Sequence, residues 1–108
     1  MSYKINTSHK FVRELKRLSK KYPSLKREYA ELIPHLENNP FEGTHIGYGC
    51  YKIRLAVTSK GKGESGSARI ITYVYVQKET VYLISIYDKS EQANISDKEI
   101  KERLRMIE

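Results

Sequence analysis

The chain has 108 residues, 20 Lys and Arg against 13 Asp and Glu, and a formal net charge of +7. That length fits a single domain over residues 1–108 with a modest core, and the 39% hydrophobic and 31% charged fractions exclude a chain disordered by composition. The charge attracts polyanions, nucleic acid first and an acidic protein second, while a lone cysteine, the lack of any apolar run of spanning length and the absence of an apolar signal stretch in Met1-Ser2-Tyr3-Lys4 point to a cytoplasmic protein without a membrane partner.

Tyr3-Lys4-Ile5-Asn6 alternates and predicts a short first strand. From Ser8 to Tyr22 the apolar positions are Phe11, Leu15, Leu18 and Tyr22, one face of a helix; Lys10, Arg13, Lys16, Arg17, Lys20 and Lys21 are spread over the rest of its surface. Tyr22-Pro23-Ser24 breaks the pattern. A second helix follows with Leu25, Tyr29, Leu32, Ile33 and Leu36 on one side, and Pro34 inside it predicts a kink or an early end. The two helices read as a hairpin whose apolar side needs a surface to lie on.

Asn38-Asn39-Pro40 and then Gly43, Gly47 and Gly49 read as a turn-rich connector. Cys50 enters the next apolar run and reads as a strand-edge residue, not a nucleophile. Three strands are predicted beyond it, Tyr51 to Val57, Ala68 to Val76 and Val81 to Tyr87, the last two joined by a turn at Gln77-Lys78-Glu79-Thr80. Their order suggests an antiparallel meander. Ser96-Asp97-Lys98-Glu99 is a capping box flanked by the staple pair Ile95 and Ile100, and Ile100, Leu104 and Ile107 share one face of a final helix to about Met106. The expected class is α+β: an antiparallel sheet of about four strands, an N-terminal helical hairpin on one face and a C-terminal helix.

Gly61-Lys62-Gly63-Glu64-Ser65-Gly66 matches the dinucleotide-binding fingerprint letter for letter. That chemistry needs a helix to begin at the loop so that its N-terminus faces the pyrophosphate. Here a β-branched and aromatic run, Arg69-Ile70-Ile71-Thr72-Tyr73-Val74-Tyr75-Val76, follows, and that is a strand. The segment is better read as a strand connector in which Lys60 and Lys62 form a cationic clamp for a phosphate backbone.

Alternation places Lys52 and Arg54 opposite Tyr51, Ile53, Leu55 and Val57. It places Arg69, Ile71, Tyr73 and Tyr75 opposite Ile70, Thr72 and Val74. With the helical hairpin on the apolar face, the other face collects Lys52, Arg54, Arg69, Tyr73, Tyr75 and Tyr87, and Lys89 lies just past the last strand. Arginine forks bind phosphate oxygens at two points, and tyrosine rings stack on unpaired bases. His9, His35 and His45 are isolated in sequence, so no metal site and no cofactor is expected.

Such a face suits metal-free RNA cleavage. The ribose 2′-OH attacks the adjacent phosphorus, leaving a cyclic phosphate and a free 5′-OH. A base takes the 2′ proton, cations stabilise the crowded phosphorus, and an acid protonates the leaving oxygen. Arg54 and Arg69 fit the cation role; Tyr87 and Lys89 are the proton-transfer candidates, and surrounding positive charge is expected to lower the pKa of both. The plainer alternatives are an ion pair between Arg69 and Glu64, and Tyr87 as a cap on the sheet edge.

These residues resemble a known family. Tyr51-Lys52-Ile53-Arg54-Leu55, Gly61-Lys62-Gly63, Gly66-Ser67-Ala68-Arg69, Val81-Tyr82-Leu83-Ile84, Tyr87-Asp88-Lys89 and Ile95-Ser96-Asp97-Lys98-Glu99 are similar, in order and spacing, to the RelE branch of the RelE/ParE toxins. The resemblance implies a type II toxin whose cognate antitoxin covers the active face, and a ribosome-dependent endoribonuclease that cuts mRNA in the ribosomal A site. The family's cationic and tyrosine positions then fall on Arg54, Arg69, Tyr87 and Lys89, with Lys52 and Lys62 beside them. Ser67 stands where glycine is usual, and the chain has no histidine after His45, which sets aside the mechanism of relatives that use one. Two other readings are a ParE-like gyrase inhibitor without nuclease activity and a non-catalytic RNA-binding module.

Overall fold

In a computed structural model, residues 2–60 and 66–107 are described. The elements are β1 (Lys4–Thr7), α1 (His9–Lys21), α2 (Leu25–Asn38), β2 (Thr44–Gly47), β3 (Cys50–Ala56), a 3-10 turn (Thr58–Lys60), β4 (Ser67–Tyr75), a second 3-10 turn (Val76–Lys78), β5 (Thr80–Asp88) and α3 (Asp97–Arg105). They build one five-stranded sheet in the order β1-β5-β4-β3-β2. The β3-β4 and β4-β5 pairs are antiparallel, as the meander predicts; β2 adds to β3 in antiparallel fashion and β1 joins β5 in parallel. The helical segment between β1 and β5 supplies the long crossover a parallel pair needs.

The hairpin lies on one face of the sheet. Phe11, Leu18, Leu25, Leu32 and Leu36 bury against Ile53, Val57, Ala68, Ile70, Val74, Val81, Leu83 and Ile86. Ser8 caps α1, its hydroxyl accepting from the Phe11 N–H at 3.1 Å. Pro34 does not shorten α2, which runs on to Asn38. Burial of Leu32 and Leu36 on either side of it outweighs one missing hydrogen bond, because tertiary packing supplies most helical stability. Ser24 and Glu28 tie the start of α2 to the turn after β3. The Glu28 carboxylate accepts from the Thr58 N–H at 2.8 Å and the Thr58 hydroxyl at 2.9 Å, and Ser24 Oγ accepts from the Ser59 N–H at 3.0 Å.

The opposite face is not left open, contrary to the expectation from alternation. α3 packs on it, and Ile95 and Ile100 bury with Cys50, Ile71, Ile84 and Tyr87, flanked by Tyr73, Tyr82, Leu104 and Ile107. The Ser96 hydroxyl caps α3 by accepting from the Glu99 N–H, but the Glu99 carboxylate accepts from Arg103 Nε at 2.7 Å. Arg103 also donates to both oxygens of Glu14 on α1, at 2.9 and 2.6 Å. This pair serves the sheet directly. β1 pairs only with Thr80 to Leu83 of β5, and beyond that point Arg103 donates to the Ile84 carbonyl at 2.7 Å while Glu14 accepts from the Ile86 N–H at 3.2 Å. Two side chains thus do for the bare strand edge what a sixth strand would do.

Candidate phosphate-binding groove and its relatives

Register, more than alternation, assembles the site. Arg54 of β3 stands opposite Arg69 of β4, and Arg69 stands opposite Tyr87 of β5, so the three occupy one row across the sheet. Lys52, two residues from Arg54, shares its face. Lys52, Arg54, Arg69 and Lys89 line one groove of about 530 Å³, together with Glu42, Gly43, Thr44 and Ile53. Among the described residues that line it, four are cations and one is a carboxylate, a balance that favours an anion. The segment leading to α3 steadies two of them: Lys52 Nζ donates to Asn94 Oδ1 at 3.5 Å and Lys89 Nζ to the Ala93 carbonyl at 2.9 Å.

The row grades from solvent into the protein. Arg54 is exposed; Arg69 is 8% exposed and donates to Ser67 Oγ at 2.5 Å. Tyr87 is buried in the cluster beneath α3, and its hydroxyl has no hydrogen-bond partner among the described residues. Burial pushes the phenol above its ordinary pKa, and Arg69 only partly opposes this. The expectation that the cationic cluster lowers Tyr87 is therefore reversed, because desolvation of a phenolate among Ile71, Ile84, Ile95 and Ile100 outweighs one neighbouring guanidinium.

Other predicted site residues lie elsewhere. Lys60 is no rim clamp: its side chain is 5% exposed and its Nζ pairs with Asp88 at 2.5 Å. Tyr22 donates to the other Asp88 oxygen, also at 2.5 Å, and its ring lies 4.7 Å from Lys60 Nζ. The lysine's pKa is raised: burial works against its charge, and the bonds to Asp88 and Tyr22 win. A cation already neutralised at such short range has little attraction left for phosphate. Tyr73 and Tyr75 share the sheet face but line a different cleft, with Tyr48, Leu104 and Ile107. Lys62 lies outside the described residues. Cys50 opens β3, as expected, and is fully buried there; burial raises its thiol to about 11, the signature of an inert cysteine. Among the described residues, no group of three or more His, Cys, Asp or Glu is placed to hold a metal ion, and no helix is long and apolar enough to cross a membrane.

Sequence reading missed β2, because Gly43, Gly47 and Gly49 signal turns. The short run Thr44-His45-Ile46 between two glycines was the available sign. It missed the role of Asp88, whose partners Lys60 and Tyr22 arrive from distant elements and leave no local sign in the sequence.

Residues 4–107 match the family model described as the RelE toxin of the RelE/RelB toxin–antitoxin system. The chain belongs to the RelE toxin family. As a RelE-family member it is a toxin of a toxin–antitoxin system, and its fold agrees with solved relatives. A doubly substituted E. coli RelE in the free state matches with a TM-score of 0.66 at 18% identity, covering 100% of both chains. The same E. coli variant in complex with an antitoxin RelBc peptide matches at 0.59 and 15% identity, over 90% of this chain and 98% of that one. The isolated E. coli RelE toxin matches at 0.57 and 20% identity, over 98% and 100%. At these identities the likeness establishes a shared fold for this RelE-family chain, and the site argument stays with its own residues.

Proposed function

We propose that this RelE-family toxin is a ribosome-dependent mRNA endoribonuclease that works by metal-free attack of a ribose 2′-OH on the adjacent phosphodiester. The observation that carries the reading is the cross-strand row of Arg54 and Arg69 in a groove shared with Lys52 and Lys89. In it the guanidinium groups bind the non-bridging phosphate oxygens and stabilise the charge that builds on them as the 2′-oxygen bonds to phosphorus. The 2′ proton passes to a base, the bond to the 5′-oxygen breaks, and that oxygen takes a proton, giving a cyclic phosphate and a 5′-OH. Lys89 lines the groove, which supports giving it the proton transfer at the groove's surface. Tyr87 is held protonated by burial, and its donation to the leaving oxygen requires that RNA binding uncover its hydroxyl.

The burial of the Tyr87 hydroxyl favours a second reading, an RNA-binding toxin that holds the strand without cutting it. Incubation with translating ribosomes and mapping of new 5′ ends separates the two. Discrete cuts bearing 5′-hydroxyls support the nuclease; intact mRNA with salt-sensitive binding supports the second. The cognate antitoxin is the expected protein partner, since a related toxin has been solved with an antitoxin peptide. The net charge of +7 suits an acidic segment of it.

A further inference from the structure

Building on the RNA-binding reading, we propose that Tyr48, Tyr73 and Tyr75 form a second RNA subsite. It is a stacking platform for unpaired bases a few nucleotides away from the phosphodiester held by Arg54 and Arg69.

The three rings line a cleft of about 490 Å³ together with Leu104 of α3 and Ile107 just beyond it. It shares no lining residue with the cationic groove. Its floor is prearranged. Tyr73 stacks on Tyr82 with centroids 6.2 Å apart and lies 6.2 Å from Tyr75. A Cβ on Gly49 would sit 3.1 Å from the Tyr73 ring, so that ring rests against bare backbone.

Tyr48 is the residue that needs explaining. It and Gly49 are the central residues of the β2-β3 hairpin, with φ of +58° and +73°. Both central positions of such a turn favour Asn, Asp or Gly, and a bulky residue there costs free energy. Yet the ring is 46% exposed, so the core does not repay that cost.

The cleft carries cations at its edge and no carboxylate in its lining. Lys101 Nζ lies 5.3 Å from the Tyr48 centroid and Lys78 Nζ 6.0 Å from that of Tyr75. Aromatic faces rimmed by ammonium groups are what a single-stranded nucleic acid requires: rings for its bases, charges for its backbone. The platform lies on the same sheet face as Arg69, with Ile71 between them buried under Ile95 and Ile100, so a strand that reaches both passes around that cover. Arg69, Tyr73 and Tyr75 alternate along one face of β4, so at ~3.3 Å per residue the platform begins ~13 Å from Arg69. That spans about four nucleotides of a stacked strand at ~3.4 Å each, fewer if the strand is extended. A strand gripped at both places is positioned by the second without that subsite touching the reacting atoms.

The test uses the full chain and a short single-stranded RNA, made uncleavable by 2′-deoxy substitution and carrying 2-aminopurine at successive positions. In the parent, fluorescence is quenched at one or two adjacent positions. Tyr48→Ala, at an exposed site and with an unchanged thermal melt, loses that quenching and binds at least about fivefold more weakly, the lower end of base–aromatic stacking. Tyr48→Phe keeps both, and Lys101→Glu weakens binding. Parent-like affinity and quenching in Tyr48→Ala and Tyr75→Ala overturn the subsite. So does parent-like RNA binding combined with lost binding of an acidic antitoxin peptide, which would make the cleft a protein-docking surface. Cleavage on translating ribosomes, measured in parallel, keeps the two proposals apart. A parent that cuts mRNA while Tyr48→Ala binds RNA normally sinks the subsite alone; a parent that stacks RNA on Tyr48 but never cuts sinks the nuclease alone.

Discussion

Arg54 and Arg69 are direct cross-strand partners, two arginines in one row of the sheet. An anion that both guanidinium groups reach is held by two cations from one row of the sheet. Inorganic phosphate is expected to raise the melting temperature of the parent above that in sodium chloride of equal ionic strength, and to lose this increment in Arg54→Ala. Arg69→Ala should keep the fold and lower ribosomal mRNA cleavage by roughly 100- to 1000-fold, the effect of removing one preorganised charge-stabilising donor. Full cleavage by Arg69→Ala would remove the groove from the mechanism.

Tyr87 sets stability against activity. Its hydroxyl is buried without a partner among the described residues, and such a group carries a desolvation cost of about 1–3 kcal/mol. Tyr87→Phe removes the hydroxyl and keeps the ring, so denaturant unfolding should show equal or greater stability, by up to ~1 kcal/mol. If Tyr87 is the acid, the same variant loses kcat for mRNA cleavage with little change in KM. Unchanged cleavage assigns Tyr87 to the core alone.

Asp88 makes stability depend on acid. Burial alone would raise its pKa, but the bonds from Lys60, Tyr22 and Ser90 outweigh burial and hold the carboxyl well below the usual range. A lowered folded pKa contributes stability that is complete above the unfolded value of about 4 and is lost as pH falls from there through the folded value. Asp88→Asn should cost about 2–4 kcal/mol at neutral pH, because it leaves Lys60 buried without its counter-charge. It should also flatten the fall in melting temperature below about pH 4. The fall does not vanish, since Glu91, hydrogen-bonded by Arg17, and Glu99, hydrogen-bonded by Arg103, are also lowered.

Gly43 couples the groove to backbone geometry. Its φ is +100°, and a Cβ there would run into the Lys52 carbonyl. The obstacle is backbone and cannot swing aside, so Gly43→Ala must push β2 away from β3 where Lys52 enters the groove. A loss of about 2–4 kcal/mol is expected, from left-handed strain plus the clash. Hydrogen exchange of the β2 amides should accelerate, and RNA should bind more weakly. Parent-like exchange would show that β2 does not shape the groove.

Much of the fold was legible because its signals are local. The apolar spacing from Phe11 to Tyr22 and from Leu25 to Leu36, the alternation around Ile53 and Ile70, and the Ser96 cap each state what the backbone does within a few residues. The parallel placement of β1 was not legible, since Tyr3 to Asn6 carries no information about its distant partner. The cations of the site were visible as alternating residues, and the family motif drew attention to Arg54, Arg69, Tyr87 and Lys89.

Which side chains share a face of β3 and β4 follows from residue order, because a strand's period of two is local chemistry; in β5 a register shift opposite Ile71 and Thr72 puts Ile84 with Tyr87. Which of these groups meet is set by how distant segments fold onto one another. The Arg54–Arg69–Tyr87 row is set by register between three strands. The separation of Tyr73 and Tyr75 from the groove and the burial of Tyr87 are set by where α3 lands, and the removal of Lys60 from the surface by Asp88 and Tyr22 arriving from other elements. Burial and charge pairing are sums over neighbours distant in the chain, so the same lysine or tyrosine becomes a ligand-binding group or a structural one according to what folds on top of it.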